Sequence, residues 1–182
     1  ISFALAHELY PDSQIRSVLA ADGETGAGGP MACSAKYFND KVPMHTTVPA
    51  SGAGGHPEAL GVGGAPTCTI GEPLAGFPRV ELLAIPARDA EGAPIDAAAT
   101  LAAAEWPPAG EEPPVWALRQ VVGCKTGFST SELPQVVGDD ARVIEIVDAC
   151  QLRKPLSLIH AALNRGACVL ITGSKFFQGS AF

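Results

Sequence analysis

Residues 142–175 read RVIEIVDACQLRKPLSLIHAALNRGACVLITGSK, and this stretch decides the fold class. Residues 142–147 form a short apolar run closing on Asp148, and residues 167–172 (ACVLIT) form a second one closing on Gly173-Ser174-Lys175. Between them, residues 156–164 (LSLIHAALN) read as a helix, with Gly166 as its stop. Buried-type strand, helix, buried-type strand predicts a βαβ unit and hence parallel pairing. In a right-handed crossover the residues that follow the two strands, Asp148 and Lys175, face the same edge of the sheet.

Working outward, the same pattern recurs. Residues 15–20 (IRSVLA), 80–85 (VELLAI) and 115–122 (VWALRQVV) read as further strands. Helices are expected over 30–38, with Pro30 in the first turn, and over the alanine-rich 96–106. Residues 107–114 read as a loop, and 41–78, rich in Gly and Pro, as a long excursion. The expected architecture is one α/β domain over residues 1–182, a mainly parallel sheet with helices on both faces. The chain begins at Ile1 rather than Met and ends at Phe182, soon after an apolar strand, so both ends read as cut from a longer protein.

Composition narrows the function classes. The 182 residues are 47% hydrophobic and 17% charged, which is globular rather than disordered. Twelve Lys and Arg against a net charge of −7 argue against a nucleic-acid footprint. No apolar run reaches the roughly 18 residues of a bilayer span. The five cysteines (Cys33, Cys68, Cys124, Cys150, Cys168) are odd in number and lack CxxC spacing, which disfavours a zinc site or a disulfide framework. A reducing compartment, cytoplasm or organelle matrix, is the expected location. His7, His45, His56 and His160 share no metal spacing. GAGG at 26–29 and 52–55 and GVGG at 61–64 are not dinucleotide loops, and no GxSxG elbow is present.

Polar residues collect just after strand ends: Glu24 and Thr25, Lys125 and Thr126, Asp148 and Gln151, then Thr172, Ser174 and Lys175. Ligands of open α/β sheets bind outside the carboxyl ends of the strands. A carboxylate facing a lysine there suits pyridoxal phosphate, whose aldehyde a lysine amine captures and whose ring nitrogen a carboxylate keeps protonated. Asp148-Ala149-Cys150-Gln151 resembles the D-A-x-Q motif of class V aminotransferases and cysteine desulfurases, and Thr172-Gly173-Ser174-Lys175 resembles their S-G-H-K motif. Both groups are fold-type I pyridoxal-phosphate enzymes.

The resemblance implies that Asp148 binds the ring nitrogen and Gln151 the phenolic oxygen. It implies that Thr172 binds phosphate beside Ser174, and that Lys175 forms the Schiff base. Glu24 and Thr25 look like the loop that places a residue over the ring. Ser174 stands where the motif has His, and no cysteine-donor loop is identifiable. On this resemblance the chain covers most of a large domain, without the phosphate cup upstream or the small C-terminal domain beyond Phe182. The implied activity is on a small amino acid or amine, in a homodimer. The alternative is a non-catalytic relative acting as scaffold or assembly subunit of a larger complex. A third option is an unrelated flavodoxin-like binding domain.

Overall fold

The computed structural model describes residues 2–26, 28–38, 69–74, 80–108, 110–123, 126, 142–150 and 156–172. Its elements run α1 (Ser2–Leu9), β1 (Ile15–Asp22), α2 (Gly29–Cys33), β2 (Val80–Pro86), α3 (Ala97–Ala103), β3 (Val115–Val121), β4 (Arg142–Asp148), α4 (Leu156–Asn164) and β5 (Cys168–Leu170). The five strands form one sheet in the order β2-β1-β3-β4-β5, and every pairing is parallel. The chain leaves β1 outward to β2, then returns past β1 to β3. The topological switch therefore lies between β1 and β3.

The pleat sorts residues onto two faces. Ile15, Val115 and Ala117 share one face with Ile144 and Ile146, and there they pack against Phe3 and Ala6 of α1 and against Ala35 just beyond α2. Val18, Ile85 and Leu118 point the other way and meet Leu101 of α3, with Trp106 and Trp116 alongside. On that second face Val147 packs against Ala162 of α4. Helices thus cover both faces, which a parallel sheet with such apolar strands requires. Among the described residues no helix is long and apolar enough to cross a membrane.

All five expected strands are present, and the element ends shift for local reasons. The helix expected over 96–106 is Ala97–Ala103, capped by Asp96, whose Oδ1 accepts from the N–H groups of Ala98 (2.9 Å) and Ala99 (3.0 Å). It stops early because Pro107 and Pro108 follow, and because Trp106 turns out to stack edge-on against Trp116 at 5.2 Å. The helix expected over 30–38 closes at Cys33. Ala35 takes a left-handed φ of 53°, and Lys36 then bridges antiparallel to Pro73. This Lys36–Pro73 contact belongs to the described part of the 41–78 excursion; residues 39–68 and 75–79 lie outside the described residues. The last strand is three residues rather than six because its ladder ends where β4 ends, with Asp148 opposite Leu170.

One helix was not anticipated. In α1, Phe3 and Ala6 are buried, and Tyr10 just beyond it is partly buried. The i, i+3, i+7 spacing of these three residues was the available signal.

Candidate functional site

At the carboxyl edge the strands end in ways that open the sheet. The β1–β2 register shifts between Ala20 and Asp22, and Ala21 adopts φ 64°. A non-glycine residue in that region costs on the order of 1 kcal/mol, and such strain gathers at functional sites. Gly23 follows at φ 89°, its N–H held by Asp22 Oδ1 at 2.9 Å. The loop then runs back along the sheet edge into α2. At Gly29 a Cβ would collide with Oγ1 and Cβ of Thr25, and at Gly28 it would meet the Phe38 ring at 2.6 Å. Both glycines are there because the backbone packs directly on its neighbours.

This loop, α2 and the strand ends line a cavity of about 240 Å³ that is open to solvent. Its described lining is Thr25, Gly26, Gly28 and Gly29 from the loop, Ala32 and Cys33 from α2, and Phe38 beyond it. Leu19 of β1, Arg119 of β3 and Asp148 of β4 complete it. The cavity sits at the switch between β1 and β3, where the carboxyl-edge rule puts ligands.

Asp148 is held firmly. Its carbonyl accepts from Val122 N–H at 2.9 Å, and the next residue, Ala149, donates to Leu170 O at 2.9 Å. In the side chain, Oδ1 accepts from Cys150 N–H at 3.1 Å, while Oδ2 has no hydrogen-bond partner among the described residues. Thr25 lines the same cavity. Glu24 does not. Its Oε1 accepts from the Thr126 hydroxyl at 2.6 Å, and this bond ties the loop after β1 to the chain after β3. Thr172 stands two residues past β5 and is not part of the lining. Of the expected site residues the structure therefore brings Asp148 and Thr25 together, and places Glu24 and Thr172 nearby in other roles. Gln151, Ser174 and Lys175 lie outside the described residues, as does Lys125.

Two lining residues were missed by the sequence reading. Arg119 Nη1 donates to Cys33 Sγ at 2.9 Å. Burial pushes the Cys33 thiol above its ordinary value; Arg119 draws it down, and Asp148 and Asp22 push it further up. The available signal was the pattern of β3, VWALRQV, which places a single charged residue in the central strand of the sheet. Cys33, Cys150 and Cys168 are not in disulfides, and no cluster of metal-ligating residues occurs among the described residues.

Comparison with family models, with curated proteins and with solved structures gives no match for this chain.

Proposed function

We propose that this chain is the large-domain portion of a fold-type I pyridoxal-phosphate enzyme acting on an amino acid or amine, with Lys175 as the point of covalent attachment. The observation that carries the reading is the Asp148 carboxylate at the end of β4. It lines a cavity at the switch point, one oxygen anchored by Cys150 N–H and the other open. Pyridoxal phosphate supplies an electron sink when bound, provided its ring nitrogen is protonated.

The residues present fit that demand. Asp148 Oδ2 is an acceptor with no competing described donor, so it can hold a proton on a ring nitrogen. The anchored Oδ1 fixes the carboxylate plane. The crowded glycines let the Thr25 loop and Phe38 pack closely along one side of the cavity. Thr172 follows the strand beside Asp148, three residues before Lys175, in the arrangement that the motif resemblance assigns to phosphate binding. Lys175 must lose its proton to act as a nucleophile near neutral pH, and apolar surroundings would favour that; Phe176 and Phe177 follow it in sequence. The proposed assembly is a homodimer, so a stable monomer in sedimentation that still binds the cofactor contradicts that part.

The test is covalent trapping. The full chain is saturated with pyridoxal phosphate, reduced with borohydride and mapped by peptide mass spectrometry. An adduct on Lys175, absent in a folded Lys175→Ala variant, is the expected result. An adduct on a different lysine, or none, removes the enzyme reading and leaves the non-catalytic scaffold. One observation favours a second reading. The strand order β2-β1-β3-β4-β5 is that of flavodoxin-like sheets, which bind a flavin phosphate at this switch. Titration with FMN separates the two.

A further inference from the structure

We infer that Arg119 is an anion-binding residue of the switch-point cavity, and that a phosphate or carboxylate group of the ligand docks on its guanidinium. A guanidinium carries five N–H donors and no acceptor. Here one donor reaches the soft sulfur of Cys33, and Nε is buried with no partner among the described residues. The other described arginines each have an oxygen acceptor, although Arg16 Nε is likewise buried without a partner. Arg142 reaches Ser13, Glu112 and the Tyr10 ring. Arg16 donates to Pro107 O between two tryptophan rings, Arg165 pairs with Glu145, and Arg88 donates to Gly92 O.

Arg119 alone among them has neither an oxygen acceptor nor an aromatic face. A buried N–H without a partner is costly, and proteins retain one where something else completes it. Asp148 lines the same cavity, yet the two form no ion pair. Opposite charges that share one cavity without touching leave room for a ligand that carries an anionic group for Arg119 and a protonated group for Asp148. Arg matches the planar oxygens of carboxylate and phosphate with two parallel bonds. This inference does not rest on the pyridoxal-phosphate reading, because the shared chemistry is the oxyanion, whether it belongs to a cofactor phosphate or a substrate carboxylate.

The test follows the backbone amide resonances of Gly26, Gly28 and Gly29, which line the cavity in wild type and variants alike, in the full chain by NMR, titrated separately with inorganic phosphate and with acetate. A saturable shift with at least one anion is expected. Arg119→Lys keeps charge but not the fork, and should weaken that binding about tenfold; Arg119→Gln should abolish it. A response to phosphate alone assigns the site to a phosphate-bearing ligand, a response to acetate alone to a carboxylate, and either supports the inference. No saturable shift with either anion, or binding undiminished in the Lys variant, overturns it. Should the Gln variant not fold, the wild-type shift and the Lys variant still decide. Anion binding without a Lys175 adduct keeps this inference while removing the proposed enzyme.

Discussion

Two arginines on the same face of the sheet, one at each end, are treated in opposite ways. Arg142 begins β4 opposite Val115, and Arg119 stands near the carboxyl end of β3 opposite Ile146. Arg142 donates to Ser13 Oγ at 2.8 Å, pairs with Glu112 at 3.1 Å and lies 4.8 Å from the centre of the Tyr10 ring. Arg119 has a thiol. The amino edge ties α1, the loop before β3 and β4 together with satisfied groups, so it serves stability. At the carboxyl edge stand Asp148 Oδ2 and Arg119 Nε, which have no partner among the described residues, and a left-handed alanine, groups that help folding little and suit a ligand.

The comparison would break most visibly at Asp148. Asp148→Asn should lower turnover by the pyridoxal-phosphate-loaded chain at least about a hundredfold, the scale of a lost proton-holding group. Its urea unfolding free energy should stay within about 1 kcal/mol, because the amide still accepts from Cys150 N–H. A comparable loss of stability would make Asp148 a structural residue like Arg142. Next in size is Gly29→Ala. The new methyl must displace Thr25, and unfolding in urea should show a loss of about 1–3 kcal/mol, typical of overpacking. A neutral result would mean the loop is not packed on Thr25.

A matched pair of substitutions then sharpens the contrast between the arginines. Arg142→Met should cost about 1–2 kcal/mol. It removes a hydrogen bond and a cation–π contact, while the half-exposed Glu112 partner adds little. Arg119→Met keeps the apolar stem and removes an unpaired charge, so its unfolding free energy should be unchanged or rise by up to about 1 kcal/mol. Equal losses in the two variants would remove the distinction between a structural and a functional arginine.

The strands were legible because a parallel sheet buried on both faces demands continuous apolar runs, and each of the five runs is there. Asp148 was legible for the same reason: it is the first polar residue after such a run, and the strand ladder carries it to the edge. The ends of α2 and α3 were less so. Ala35 turns left-handed to let Lys36 meet Pro73, and Trp106 leaves its helix for Trp116; both are decided by residues distant in sequence. Glu24 and Thr25 are adjacent, yet one bonds Thr126 and the other lines the cavity, a division in the loop after β1 that no residue type announces. Arg119 stands out in sequence as the one charge in β3, but its lack of an oxygen acceptor depends on the fold and leaves no mark there.

The smallest expected effect concerns the thiol that touches Arg119. Cys33 is 1% exposed, and burial raises its pKa above the ordinary 9.0. Arg119 opposes that rise, and Asp148 and Asp22 reinforce it. In the unfolded chain the thiol ionises at its ordinary pKa; in the folded chain it stays protonated to higher pH. The folded state then binds more protons, so stability falls as pH rises. Cys33's contribution is therefore complete below the unfolded value and is lost as pH climbs from there through the folded one. Urea titrations from pH 7 to alkaline pH should show this decline in the wild-type chain. In Cys33→Ala the decline should be shallower on a baseline lowered by the lost side-chain packing. Iodoacetamide at pH 8 should modify Cys150 before Cys33. A steeper alkaline loss in the alanine variant, or early labelling of Cys33, would mean that the thiolate is stabilised by Arg119. The guanidinium would then have found its anion within the chain, and the contrast with Arg142 would disappear.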